Sequence, residues 1–284
     1  MNSTGTHELD SEAPHSISCM EIWGGNTPTK KSLSIPGFDI WVGSIPHAEE
    51  SQGGDIYYLS SCGAGNVSRL SLADVAGHGE ASAYIAKRLR HLMRRYINTV
   101  DQVDFAQSLN GDFSQFSDRG MYATALLSAY HTETDHMIIC NAGHPEPLLY
   151  RAASDCWEFV EQDTTDSIDD VYNLPLGIIP GTDYQQIGLK LWPGDTLILY
   201  TDAVLEARNS CDQPLDKAGL LNLTQNMPKD EARSLGEALT HRLVHDYHIQ
   251  DDLTLIILSH NATDPSPPSL KEKLQGLTRM AGLS

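Results

Sequence analysis

From residue 35 onward, apolar and polar positions fall into short ordered runs. Ile35-Pro36-Gly37-Phe38-Asp39-Ile40-Trp41-Val42 reads as a turn followed by a strand. Residues 55–59 and 68–74 also read as extended, separated by the turn signal Cys62-Gly63-Ala64-Gly65-Asn66. After Gly79 the period changes. Ala81, Ile85, Leu89, Leu92 and Tyr96 follow spacings of four, four, three and four, one face of an α-helix. A second helix is predicted over 103–116. Strand-like runs follow at 123–130, 137–141, 148–150, 185–191 and 196–200, the last entered through the turn Pro193-Gly194-Asp195. Residues 231–247 read as a helix and 253–258 as a buried strand with little alternation. Strands come in runs interrupted by helices, without strict βαβ alternation. That order predicts an α+β sandwich, sheets inside and helices outside.

The ends of the chain read differently. Residues 1–34 are polar and aperiodic, which predicts a flexible N-terminal extension; Met20-Glu21-Ile22-Trp23 is the stretch able to pack back. Residues 35–260 form the predicted domain. Residues 261–269 are a linker by composition, and Leu270, Leu274, Leu277 and Met280 recur at helical spacing. The 261–284 segment is therefore a linker with a short amphipathic helix, packed on its own domain or docked on a partner.

Composition narrows the function. Acids outnumber bases 38 to 19, a net charge of −19. That balance excludes a general nucleic-acid binder and fits poorly with an anionic membrane surface. No apolar run approaches the roughly 18 residues of a membrane helix, and the first residues lack the basic and apolar segments of a signal peptide. The five cysteines, 19, 62, 140, 156 and 211, are widely spaced with no Cys-x-x-Cys. They read as reduced, mostly buried thiols of a cytoplasmic protein.

Candidate chemistry lies in aspartates at strand ends beside small residues. Asp55 follows Gly53-Gly54, and Asp74 opens Asp74-Val75-Ala76-Gly77-His78-Gly79. Asp202 ends Tyr200-Thr201-Asp202, and Asp251-Asp252 precede Leu253-Thr254. One such aspartate alone is a turn cap. Four in one pattern are a different matter, because converging carboxylates repel one another and resist ionisation. Divalent cations remove the conflict, and an all-oxygen set favours Mg²⁺ or Mn²⁺ over zinc.

These motifs, with Asn141-Ala142-Gly143-His144-Pro145 and Leu174-Pro175-Leu176-Gly177 between them, resemble in order those of PPM-type protein phosphatases. The resemblance is to the bacterial SpoIIE-like (RsbU-like) branch and runs from about 35 to 260. It implies an αββα sandwich of two central, mostly antiparallel sheets flanked by helices. It implies two divalent cations, Mn²⁺ or Mg²⁺, in a cleft between the sheets, and hydrolysis of phosphoserine or phosphothreonine on a protein. In this likeness Asp74 bridges both metals, Val75 offers its carbonyl, and Asp55, Asp202 and Asp251 are the other acidic positions. Asp252 stands behind them or binds through water. A metal-activated water would attack phosphorus in line. His78 either protonates the leaving oxygen or shapes the Gly77–Gly79 turn. His144 and Asn141 read as structural hydrogen-bonding residues. The implied partner is a phosphorylated regulator resembling an anti-sigma-factor antagonist.

Two positions depart from the family pattern, Tyr58 in place of aspartate and Ala203 in place of glycine. They motivate an alternative, a low-activity docking module that keeps the phosphatase fold. Three other features read as ordinary surface. His241, His245 and His248 lack the glutamate of a zinc-protease helix, with Arg242 standing there. Lys87, Arg88, Arg90, Arg94 and Arg95 are a solvated basic face able to steer an acidic partner. The five acids between 161 and 170 are an acidic loop.

Overall fold

A computed structural model of the chain describes residues 15–16, 22–47, 50–62, 66–77, 79–116, 120–161 and 172–262. His78, the stretch 162–171 and the C-terminal 263–284, each discussed above, lie outside the described residues.

In chain order the strands β1 to β6 are His15–Ser16, Ile22–Gly25, Thr29–Ile35, Phe38–Ile45, Asp55–Cys62 and Val67–Val75. Helices α1 (Glu80–Tyr96) and α2 (Gln102–Phe116) follow. Strands β7 to β12 are Ala123–His131, His136–Ala142, Leu148–Arg151, Cys156–Phe159, Gln186–Lys190 and Thr196–Tyr200. Three helices, α3 (Ala203–Glu206), α4 (Asp216–Gln225) and α5 (Ala232–Asp246), precede the last strand, β13 (Leu253–His260).

The strands form two sheets. One runs β1-β3-β4-β13-β12-β9-β10 and the other β11-β8-β7-β6-β5-β2. Every pairing is antiparallel except β1 with β3. The alternation of a strand places successive side chains on opposite faces, so each central strand supplies two cores. Tyr57, Leu59, Leu70 and Leu72 meet Phe38, Ile40, Val42 and Ile256 between the sheets. Ile56, Ala73 and Leu127 face the other way, under Leu89, Phe105 and Leu109 of α1 and α2. Trp41, Tyr200 and Ile257 lie under Leu235 and Leu239 of α5. Each such side chain is worth roughly 1.5–3 kcal/mol when fully buried, and burial on both faces is why these strands lack polar alternation. The layers are helix, sheet, sheet, helix, as anticipated.

The differences lie at the edges. Residues 22–34, expected to be flexible, supply β2 and most of β3. Thr29–Ile35 opens with the polar run Thr29-Lys30-Lys31-Ser32, and of its seven residues only Leu33 and Ile35 are buried. An outer strand tolerates that composition, and its pairing to β4 is a main-chain property that polarity does not reveal. β10 and α4 were also missed, and α4 buries only Leu220 and Thr224. Of the cysteines whose side chains are described, Cys140 is buried, but Cys156 and Cys211 are exposed, on an edge strand and a turn, fewer buried than expected. Among the described residues no helix is long and apolar enough to cross a membrane.

Candidate metal centre

The acidic positions converge at one end of the cleft between the sheets. Asp55 opens β5 and stands directly across from Asp74 on β6. From the facing sheet come Asp202, at the junction of β12 and α3, and Asp251-Asp252, just before β13.

Glycines make this approach possible. A Cβ on Gly53 would lie 2.6–2.8 Å from the Asp252 carboxylate, and one on Gly54 would lie 2.9 Å from the Val75 carbonyl oxygen. Without those carbons, the Gly54 N–H donates to Asp252 Oδ2 at 2.5 Å and the His47 N–H to Oδ1 at 2.6 Å. Both oxygens of Asp252 are thus engaged by main chain, and the carboxylate clips the two sheets together. Asp251 is half-buried, and its Oδ1 accepts the Asp252 N–H at 2.8 Å. Past Val75, Gly77 and Gly79 both adopt φ near +90°, turning the chain from β6 into α1.

Thr201 ties the halves together. Its hydroxyl lies 3.0 Å from Asp55 Oδ2 and receives the Thr254 N–H at 3.0 Å. The other Asp55 oxygen, Oδ1, is buried and has no hydrogen-bond partner among the described residues.

Electrostatics show the conflict in this cluster. Burial pushes Asp55 well above the ordinary carboxylate range, and the charges of Asp74 and Asp252 push it further, against hydrogen bonds from Thr254 and Thr201. Asp74 is driven up to about 8 by burial and by Asp202, Asp251, Asp252 and Glu206. Asp202 rises to about 6 through burial, Glu206 and Asp251. Three carboxyls that resist ionisation in one cleft are what a missing positive charge produces.

The residues fit a hard divalent cation. The donors are all oxygen, Asp55 Oδ1 is orphaned, and the Cβ-free Gly54 leaves room beside the Val75 carbonyl. Among the described residues no three His, Cys, Asp or Glu side chains form a ready-made cage.

Sequence reasoning missed two participants. Glu206 lies one helical turn beyond Asp202, and that i,i+4 spacing was the available signal. Thr201 was quoted inside a motif but given no role. His144 is buried; its N–H donates to Asn141 Oδ1 at 2.7 Å, and its Nδ1 shares a 2.8 Å hydrogen bond with the Thr124 hydroxyl. Thr124 pairs across the strands with Asp74, so His144 braces the strand behind that carboxylate.

Tyr58 does not reach the cleft, and Ala203 meets it through its main-chain N–H, which donates to the Asp202 carboxylate. Ala203 begins α3 in ordinary helical backbone, so a glycine is not required there. Tyr58 shares the helix-side face of β5 with Ile56, opposite to Tyr57 in the inter-sheet core. His241 and His245 stack at 4.0 Å on an exposed helix face.

Comparison with known proteins agrees with this architecture. Phosphoserine phosphatase RsbU of Bacillus subtilis is 25% identical over 240 residues, covering 84% of this chain and 66% of that protein, just under two thirds of its length. The solved RsbU and RsbW domains of a Mycobacterium tuberculosis protein superpose with a TM-score of 0.69 at 23% identity, over 90% of this chain and 72% of that one. RsbX, solved in complex with magnesium, superposes with a TM-score of 0.60 at 15% identity, over 82% of this chain and all of that one. These structural likenesses establish the fold. The family described as Stage II sporulation protein E matches residues 65–261, and the chain belongs to that SpoIIE family, the PPM-type branch its ordered motifs resemble.

Proposed function

We propose that this chain is a metal-dependent protein serine/threonine phosphatase that hydrolyses phosphoserine or phosphothreonine on a regulatory protein. The observation that carries the reading is the convergence of Asp55, Asp74, Asp202 and Asp251, with three of the four held above the ordinary carboxylate range. Asp55, Asp74, Asp202 and Asp251, with the Val75 carbonyl, would hold two Mn²⁺ or Mg²⁺ ions. When bound, such ions activate a water and clamp phosphoryl oxygens. Thr201 holds Asp55 in place by a hydrogen bond. Asp252, fixed by two main-chain N–H groups, keeps the Gly53-Gly54 turn against the facing sheet. Glu206 adds negative charge at the rim and strengthens the call for a cation. His78 is the proposed proton donor to the departing serine or threonine oxygen.

The substrate we propose is a small phosphorylated regulator of the anti-sigma-factor-antagonist kind, in the cytoplasm. Support comes from the RsbU relative, whose name states a phosphoserine phosphatase. Magnesium in the RsbX structure supports the choice of cation. Removing phosphate from such a regulator deletes about 1.5–2 negative charges and so switches its partner.

The test is hydrolysis of a generic phosphomonoester and a phosphoserine peptide, with and without Mn²⁺, in the wild type and in Asp202→Asn. Mn²⁺-dependent turnover that the substitution abolishes is expected. Equal turnover in the variant, or turnover indifferent to chelation, would overturn the proposal.

A further inference from the structure

Tyr58 has an environment of its own. It sits in mid-β5, 2% exposed, and its hydroxyl has no hydrogen-bond partner among the described residues. Ser71, directly across on β6, is fully buried, and its hydroxyl is also without a partner. A buried hydroxyl in that condition has lost water and gained nothing in exchange. The two residues pair across the β5–β6 ladder, and Tyr58 is the one that opens onto a cavity.

Tyr58 borders a cavity of about 160 Å³, lined also by Gly24, Arg90, His91 and Arg94. That volume holds a small ion with several waters. Gly24 opposes Tyr58 in the β2–β5 register, where a Cβ would strike the Tyr57 carbonyl oxygen at 2.3 Å, so that wall carries no side chain. Arg90 and Arg94 are four residues apart on α1 and share one face. Neither has a carboxylate partner among the described residues, in a chain with 38 acids to 19 bases. Arg90 is half-buried and Arg94 exposed, and both line the cavity. The positive charges acting on Tyr58 are those of Arg94 and the buried Arg69. Burial nevertheless keeps the phenol high, at about 12, so Tyr58 remains a proton donor throughout the neutral range.

The lining is therefore rich in donors. Guanidinium has five N–H donors and no acceptor, and its fork matches the oxygen pairs of a phosphate. The phenol adds another donor at the back. His91 is exposed, and its Nδ1 shares a 2.7 Å hydrogen bond with the Lys87 carbonyl oxygen. An acceptor-rich anion complements such a set.

We propose that this cavity is an oxyanion site, separate from the carboxylate cleft, that takes inorganic phosphate or the phosphate group of a small phosphomonoester. It lies across β5 from the carboxylates, three residues from Asp55 and on the opposite face of the sheet. An occupant bridges α1 to β5 and β2, and so fastens the helix that follows Asp74-Val75 to the sheet beneath it. The proposal stands on these groups alone and does not depend on catalysis in the cleft.

The full chain, stripped of metal by a chelator, is titrated with inorganic phosphate and separately with phosphoserine by calorimetry. Chelation removes any contribution from cations in the carboxylate cleft. Saturable binding of phosphate is expected, weakened at least about tenfold by Arg90→Gln with Arg94→Gln. Tyr58→Phe, which keeps the ring and so the packing, is expected to weaken it about threefold or more. Thermal melts verify that each variant is folded. Phosphoserine binding as tightly as phosphate identifies a monoester site; phosphate binding alone identifies a site for the free ion. No saturable binding of either ligand, or affinity unchanged in the double arginine variant, would overturn the proposal.

Discussion

Replacing Asp74 by asparagine removes a charge without changing shape, and its effect on the metal-free protein follows from the cluster. Asp74 titrates near 8 in the fold against an ordinary value of 3.8. Between those values the folded protein keeps a proton that the unfolded chain has released. Stability therefore falls as pH rises from about 4 to 8. At pH 7 the solution is roughly three units above the unfolded value, so the ceiling on the cost is about 4 kcal/mol. The group is only partly enclosed, and water and relaxation of the neighbouring acids reduce that to about 2 kcal/mol. In a domain of this size about 2 kcal/mol moves the melting temperature by about 4–8 °C. In chelator at pH 8, Asp74→Asn should melt above the wild type by that margin, and the gap should close toward pH 4. Saturating Mn²⁺ should invert the order, because the wild type gains roughly 2.7 kcal/mol at a hundred times its dissociation constant and the variant gains less. Thermal melts over pH, with and without Mn²⁺, measure all of this. An asparagine variant less stable than the wild type in chelator at pH 8 would refute the claim that these carboxylates lack a positive partner.

Three further outcomes follow from particular contacts. Gly53→Ala puts a methyl group 2.6–2.8 Å from the Asp252 carboxylate, so the two N–H bonds to Asp252 should break and Mn²⁺-dependent turnover should fall at least about tenfold, checked by steady-state kinetics. Gly236→Ala should destabilise: helix propensity gains about 1 kcal/mol, but a Cβ would meet the Trp41 ring at 2.2 Å, and overpacking costs about 1–3 kcal/mol, as urea denaturation would register. His144 is held down to about 3 by burial, so the unfolded chain takes up a proton below about 6.5 that the fold refuses, and stability falls as pH falls. Between pH 7.5 and 5 the stability advantage of the wild type over His144→Asn should shrink by about 2 kcal/mol in urea titrations, and parallel curves for the two proteins would remove the assignment.

What could be read from the chain, and what could not, follows from how far each contact reaches. β13 and α1 were legible because their burial is written in consecutive or periodic apolar residues: β13 is packed on both faces, and α1 buries Ile85, Ala86, Leu89 and Met93 on one stripe. β3 was not, because its place is fixed by main-chain pairing to β4 while its first half is polar surface. The site divides along the same line. The aspartates stood out because a carboxylate at the end of an apolar strand has no local use. The groups that hold them in place have ordinary local uses and act only over distance: Thr201 reaches Asp55 across 146 residues, and Asp252 reaches Gly54 across 198. Glycine shows both cases. Gly77 and Gly79 announced a turn and make one, whereas Gly53 and Gly54 look like a turn but are needed because Asp252 and the Val75 carbonyl from other strands occupy the space where Cβ atoms would be. Tyr58 carries the argument furthest. Judged by the motif, it is a fault in the catalytic pattern. The pleat of β5 puts it on the other side of the sheet from Asp55, beneath two arginines without carboxylate partners among the described residues. A substitution on that face leaves the carboxylate cleft intact and is free to build a different site.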